Sequence, residues 1–475
     1  MIVNEETPLI SAEENSALQP GEHEEDALYN RFSKSQKRTI LALVSWSGLL
    51  PFFVTGSFVP TVPQIAKEFN TTGSVINLSV SFAVLTLAFG NLFWARYSSF
   101  YGRRPIFTYS LPILCVASLG AGLARSVPEL LLWRVLQAFG ASAGMSVGAG
   151  VIGDIYKLEE RGAAMGVFFA ACCFGPALAP LCGGIAAHYA SWRAMQYALF
   201  FSSIIAFVCI LPLLPETIHP GEKGIERYLR EKGHGDEEWR WVWLNPLSSL
   251  KFLRSPNVSA VTLACAFTLL TDYALLTPLS YTVGERYNIK NEVIVGAFFL
   301  PAGLGNIVGS PLAGAISDRI VVKWRAKRHG EWVPEDRLRA AVPGILVFAP
   351  LSILVSGFAT QYVSGTAGIV INLVCLFVNG VGIDVVFSPC SAYFVDLAHS
   401  RSAELMAASM CVRAAIIGIS VAGVLPLIES IGVAATNAIV AVIAWIGFGL
   451  LWCTILYGGK MRAWVDVASP DSHNH

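Results

Sequence analysis

The chain has 475 residues, 54% of them hydrophobic and 14% charged, with a mean hydropathy of +0.57. A water-soluble domain carries about 25% charge, so too few charged groups are present to cover a globular surface, and lipid must cover much of it. The formal net charge is zero, which gives no electrostatic case for a nucleic-acid partner.

Residues 1–37 open the chain with Glu5, Glu6, Glu13, Glu14, Glu22, Glu24, Glu25 and Asp26 and almost no apolar clustering. This composition predicts a disordered cytoplasmic tail. It holds no apolar stretch of the kind a cleavable signal needs, so the first span is expected to direct insertion. Within it, Glu5-Glu6-Thr7-Pro8-Leu9-Ile10 resembles an acidic dileucine sorting signal.

A bilayer-spanning helix needs about 20 apolar residues. Runs of that kind lie near 39–61, 74–95, 106–125, 129–151, 163–187, 195–214, 258–282, 293–316, 340–359, 364–389, 403–428 and 433–457. The expected fold is all-α and integral to the membrane, with twelve transmembrane helices in two six-helix halves. The expected divisions are a tail at 1–37, an N-terminal half at 38–214, a cytoplasmic linker at 215–256, a C-terminal half at 257–457 and a second tail at 458–475. Twelve crossings put both termini on one side. If that side is cytoplasmic, its segments hold 26 Lys and Arg residues against five on the other, and the positive-inside rule selects this orientation. Asn70-Thr71-Thr72 is then an outer glycosylation sequon close to the second span.

The stretch GNLFWARYSSFYGRRP, Gly90 to Pro105, joins the second and third spans through Gly102-Arg103-Arg104. Two arginines pin such a turn to one face of the bilayer. Ser317-Asp318-Arg319 occupies the corresponding place in the second half. Two halves repeated in this way are expected to form a carrier with a midplane cavity between them. The ten cysteines mostly sit within apolar runs, without CxxC or other metal-ligand spacing. They read as small core residues, and no metal or cofactor site is expected.

Four charged residues fall well inside predicted spans, away from their ends: Arg134, Asp272, Asp384 and Arg413. A charge there costs at least about 2.5–3.5 kcal/mol unless it faces a polar cavity or a partner. Loss of water disfavours an ionised carboxylate, which suits Asp272 or Asp384 to take up and release a coupling proton. The alternative is a static ion pair with Arg413 or a hydrogen-bonded structural carboxylate. Gly140, Gly144 and Gly148, at four-residue spacing, read as helix packing.

Several segments resemble the major facilitator superfamily, specifically the fungal branch of its twelve-span drug:proton antiporters, over about residues 38–457. The Gly90…Gly102-Arg103-Arg104-Pro105 turn is similar to the family's loop signature, where Ser99 stands in place of the usual acidic residue that latches the loop to a neighbouring helix. Leu132-Trp133-Arg134-Val135-Leu136-Gln137-Ala138-Phe139-Gly140 resembles its second signature, which assigns Arg134 to proton coupling. Gly175-Pro176-Ala177-Leu178-Ala179-Pro180-Leu181-Cys182-Gly183-Gly184 resembles the antiporter signature of the fifth span, which marks exporters; Ala179 replaces a frequent glycine. The prolines bend that helix, and the glycines allow close contact across the interface between halves. Asp154-Ile155-Tyr156 with Glu160-Arg161-Gly162 matches the turn after the fourth span, where Asp154 is expected to pair with Arg103 or Arg161. Leu300 to Gly314, Asp318-Arg319, Pro334-Glu335-Asp336-Arg337-Leu338, Tyr393, Asp396 and Arg413 fit the fungal pattern of the second half.

No GxxxxGK[ST] loop is present, which argues against ATP-driven transport. The histidines are scattered over loops and tails rather than clustered for enzymatic chemistry. A channel would not need the Gly-Pro helix, and a sensor on a carrier fold stays open. The resemblance implies a monomeric, proton-coupled exporter of small organic molecules such as drugs or toxic metabolites. Its cavity is expected to be lined by spans one, four, seven and ten, with Trp46, Phe52, Tyr273, Tyr281 and Phe387 as candidates. The alternative is dedicated export of an endogenous organic acid or secondary metabolite, since Arg134 and Arg413 suit a carboxylate. The expected location is the cell membrane, with a vacuolar or endosomal membrane as the second choice.

Overall fold

Local chemistry starts the helices where the apolar runs begin. Ser33 and Gln36 form a reciprocal capping box at the first helix. Thr72 and Ser126 accept hydrogen bonds from Val75 N and Glu129 N at two others. Such caps satisfy backbone N–H groups that a helix end leaves unpaired. The computed structural model describes residues 29, 31–156, 158–219, 223–231, 242–289, 291–329, 331, 333–397 and 402–464. Residues 1–28, which carry the dileucine-like motif, lie outside this set.

Twelve helical segments are long and apolar enough to cross a bilayer. They are α1 (Lys34–Glu68), α2 (Gly73–Tyr101), α3 (Arg103–Leu123), α4 (Val127–Ile155), α5 (Val167–Tyr189), α6 (Trp192–Leu213), α7 (Pro256–Gly284), α8 (Glu292–Lys327), α9 (Pro334–Tyr362), α10 (Gly365–Leu397), α11 (Leu405–Ile431) and α12 (Val433–Arg462). Each contains the core of one expected span. Most run further at one or both ends, because a helix does not stop where its apolar stretch does. Arg31, Thr217, Asp154 and Arg103 are joined by contacts at one end of the first half, and Arg337 with Asp396 and Arg462 with Glu335 are paired at the same end of the second; this end is here termed the tail face. The opposite end is the far face. Between the halves, the 3-10 turn Pro246–Arg254 packs by the tail end of α2, where Tyr97 and Tyr101 hydroxyls accept from Leu244 N and Val242 N.

α1 is not uniform. Pro51 lies inside it and a 3-10 turn at Val59–Thr61 interrupts it. Proline lacks an N–H, so the carbonyl four residues earlier loses its helical partner. That carbonyl, Ser47 O, lies against Gly144 of α4, 2.0 Å from where a Cβ would be. The described cysteines are free thiols, and Cys115, Cys172, Cys265, Cys375 and Cys390 are buried, as core packing requires. Asn70 is exposed on the far-face turn before α2, at a φ of 51°, a conformation asparagine tolerates better than most residues.

The halves touch through α2 with α11 and through α5 with α8. The contacts run from the far face to mid-helix. Asn77 Nδ2 donates to Val421 O at 2.8 Å, Ser74 Oγ to Glu429 Oε1 at 3.3 Å, and His188 Nδ1 lies 3.1 Å from Glu292 Oε2. On α8, Gly296 and Gly303 meet the α5 backbone. Further along the same heptad stripe Ser310 is exposed and Gly314 opens to empty space. On the facing stripe of α5, Phe174 is 49% exposed. The halves are therefore closed at the far face and splay apart toward the tail face.

Candidate functional site

The Gly102 turn forms a tail-face network within the first half. Gly102 adopts φ 118°, and a Cβ there would sit 2.1 Å from Glu216 Oε2, so only glycine fits. Arg103 N donates to Glu216 Oε1 at 3.0 Å. The Arg103 guanidinium reaches Asp154 Oδ2 at 3.0 Å and Ser98 Oγ at 2.9 Å. Thr217 Oγ1 donates to the same Asp154 Oδ2 at 3.0 Å. Arg104 instead reaches Leu211 O of α6 at 2.9 Å. Asp154 thus pairs with Arg103; the side chains of Arg161 and Asp318 lie outside the described residues, and Arg319 is exposed on the tail end of α8. Ser99 makes only a 3.5 Å contact with Arg103, and the carboxylate at this turn comes from Glu216, just beyond α6. The sequence analysis did not single out Glu216, although an acid directly after an apolar run on the side of Arg103 was a signal that could have found it. Removing one partner of a partly buried charge pair costs about 1–3 kcal/mol. Arg103→Ala is therefore expected to lower the detergent melting temperature by several degrees. Arg103→Lys should recover only part, because an ammonium cannot fork onto Asp154; equal stability of all three proteins would refute the latch.

Arg134 enters the first half from α4, seven residues from its far-face end, and is fully buried. Its Nη1 donates to Val54 O of α1 at 2.7 Å and to Gln137 Oε1 at 2.8 Å. Gln137 Nε2 continues to Ser118 of α3 and Gln196 of α6, both at 2.9 Å. The guanidinium carbon lies 4.3 Å from the Phe58 ring centroid, a cation–π contact. Nε and Nη2 have no hydrogen-bond partner. No carboxylate pairs with Arg134 among the described residues. Gln196 escaped notice in the sequence, and Gln137 stood there only as a member of the Arg134 signature, because neutral amides lower a span's hydropathy only slightly.

In the second half, Asp272 of α7 and Asp384 of α10 lie at similar depth, 16 residues after Pro256 and 13 before Leu397. Both are partly buried, and they are near enough for the charge of one to act on the other. Asp384 Oδ2 has no hydrogen-bond partner. Arg413 does not neutralise either of them. Its guanidinium carbon lies 4.7 Å from the Phe387 ring centroid, beside the Cys265 and Cys390 thiols, nearer the tail face. The expected alternative of an ion pair with Arg413 is thus absent among the described residues. Tyr281 also departs from expectation: it sits at the far face against Gly73 rather than at mid-depth. Phe52 packs on Gly175, and Trp46 is 49% exposed.

The α5 segment with Pro176 and Pro180 has two working faces. On one, a Cβ at Gly175 would meet Phe52 Cβ at 2.4 Å and one at Gly183 would meet Ser57 O at 2.0 Å, both on α1. On the other, Gly184 would meet Glu292 O of α8 at 2.2 Å, while Gly296 approaches Pro180 O. The same helix therefore cements its own half and closes against the other.

A twelve-helix bundle of two halves, closed at one face and splayed at the other around mid-depth charges, is a transporter architecture rather than that of an enzyme. The sequence profile of the Major Facilitator Superfamily matches residues 44–422, and the chain belongs to this family. Curated relatives include an MFS antiporter, QDR3, of Candida albicans, 23% identical over 91% of this chain and 79% of its own length. Citrate exporter 1 of Aspergillus niger is 25% identical over 68% of this chain and 67% of its own. Multidrug transporter DTR1 of Candida glabrata is 25% identical over the same shares. Among solved structures, a bacterial homolog of the human lysosomal transporter Spinster, described as inward-facing and unoccupied, superposes with a TM-score of 0.63 at 14% identity, covering 91% of this chain and 99% of that one. It shares the fold.

Proposed function

We propose that the protein is a proton-coupled exporter of small organic molecules, such as drugs or toxic metabolites, working by alternating access with the tail face cytoplasmic. Asp272 and Asp384 carry the coupling proton. The observation that carries this reading is the pair of partly exposed mid-depth carboxylates with no cationic partner among the described residues. Two such groups in apolar surroundings need a positive charge, and a proton is the one that alternating access can deliver from the far side and release on the tail side. Arg134 supports the cycle from the first half by fixing α1 to α4 at the bend through which the halves rock. Twenty-six Lys and Arg residues at the tail-side segments against five at the far side support the orientation. The antiporter-type helix α5 and the antiporter and multidrug relatives support export.

A second reading, dedicated export of an organic acid, draws on the two unpartnered Arg134 donors and on the citrate exporter relative. A guanidinium with two unpartnered nitrogens suits a carboxylate.

The deciding experiment uses proteoliposomes and a panel of cationic, neutral and carboxylate compounds, with and without an imposed proton gradient. Gradient-dependent movement of unrelated lipophilic compounds is the expected result. Gradient-dependent movement of a single carboxylate selects the second reading. Movement indifferent to the gradient overturns the coupling and leaves a facilitator.

A further inference from the structure

His188 and Glu292 meet across the two halves at the far face, with Nδ1 3.1 Å from Oε2. The backbone puts them there. One turn before His188, Gly184 lets α5 come so near α8 that a Cβ would sit 2.2 Å from Glu292 O. His188 falls in the last turn of α5 and Glu292 in the first turn of α8. A cation at a helix C-terminus and an anion at an N-terminus are each favoured. Both side chains are about a third exposed, 37% and 33%, so protons from the far side reach them.

This contact responds to protonation where its neighbours do not. A neutral imidazole holds the bond only as the Nδ1–H tautomer, whereas the imidazolium makes a charge-assisted bond. Imidazole is the side chain that ordinarily changes charge between about pH 5 and 8. The other cross-half bonds described at this face are donated by Ser74 to Glu429 and by Asn77 to Val421 O, and neither donor titrates. The elements packed on α5 bring few other charges to its far end. On α1, Glu68 is taken by Trp192 Nε1 at 2.7 Å and by Arg193 of α6, and Lys67 is exposed. On α4, Glu129 Oε2 accepts from Arg125 N at 3.0 Å, and Arg134 is fully buried, deeper in the helix. Lys290, before α8, lies outside the described residues. Glu292 is thus the carboxylate that receives His188.

We propose that His188 and Glu292 form a pH-sensitive clasp between the halves at the far face. With His188 protonated, the ion pair holds α5 against α8; with His188 neutral, the hold slackens. Opening the far face parts these helices and breaks the pair. Acid on the far side therefore favours the closed arrangement, and this contribution is lost as the pH rises past the ordinary imidazole range. A carrier built in this way opens less readily toward an acidic far side. The clasp rests on the closed far face and not on the substrate or the coupling ion.

The test is hydrogen–deuterium exchange of the full chain in nanodiscs at about pH 5.5 and about pH 8, on either side of the imidazole range. It is read at the far-face ends of α2 and α11, which form the other contact between the halves and do not touch the pair. Each variant is compared with the parent protein at the same pH, so the intrinsic pH dependence of exchange cancels. In His188→Gln, exchange should rise about two- to fivefold at the acid pH, the effect of an exposed ion pair, and match the parent at the alkaline one. Glu292→Gln should behave alike, and the double variant should add nothing further. His188→Lys, charged at both pH values, should match the parent in acid and lower exchange by a similar factor at about pH 8. The same pattern should persist with Asp272→Asn and Asp384→Asn also present. An equal rise at both pH values would reduce the contact to a plain hydrogen bond and overturn the proposal. So would no change at either pH, an acid effect of His188→Gln that survives in Glu292→Gln, or a pattern that disappears with the two aspartates.

Discussion

Gradient-driven efflux is expected to be lost in Asp384→Asn, with the protein still folded. Asparagine keeps the shape of the side chain but cannot ionise, so the position no longer distinguishes a protonated from an unprotonated state. Coupling free energies between two ligands run about 1–3 kcal/mol, or about 5–150-fold, and the gradient-driven component should fall by a factor in that range. Asp384 Oδ2 has no partner to lose, and an unpaired buried charge is destabilising. The melting temperature in detergent should therefore hold or rise, which separates loss of coupling from misfolding. Asp272→Asn should weaken coupling as well, since the two carboxylates act on each other. If the doubly neutralised protein still moved substrate in response to pH, neither aspartate would be the proton carrier.

The second large effect comes from two adjacent glycines that should fail differently. Gly183→Ala drives a Cβ to 2.0 Å from Ser57 O inside the first half, and Gly184→Ala drives one to 2.2 Å from Glu292 O across the interface. Forcing a carbon into such a contact costs about 1–3 kcal/mol. At Gly183 the contact belongs to one half and persists through every state of the cycle, so the cost falls on stability and the melting temperature drops. At Gly184 the contact exists only when the far face is closed. There the same cost shifts the closed-to-open ratio by about 5–150-fold, at nearly unchanged stability. Hydrogen–deuterium exchange at the far-face ends of α2 and α8 should rise in Gly184→Ala and not in Gly183→Ala. Identical behaviour of the two variants would contradict the two-faced role of α5.

Much of the site was visible along the chain because a bilayer makes its outliers conspicuous. Arg134, Asp272, Asp384 and Arg413 stand out as ionisable groups in apolar runs, and Gly175 to Gly184 as a run of helix-weakening residues inside one. Their partners were far less visible. Glu216 lies 113 residues from Arg103 and Gln196 lies 59 from Gln137, and neither is unusual in its own segment. Arg413 and the two aspartates seemed natural partners as opposite charges in one half. Depth and rotation along their helices decide otherwise, placing Arg413 on Phe387 and leaving the carboxylates without an ion pair among the described residues.

The sequence by itself determined the twelve crossings and the concentration of Lys and Arg in alternate connecting segments. These follow from hydropathy and charge, which lipid reads one segment at a time: each span must satisfy its own backbone and each Lys or Arg must find water. Only the tertiary structure decided which face is closed, which carboxylate receives Arg103, which ions remain unpaired and which glycine serves which neighbour. Those outcomes depend on helix rotation and on contacts between residues distant in the chain. Helix–helix packing in a membrane has no hydrophobic term to dictate it, so close fit and hydrogen bonds set it instead.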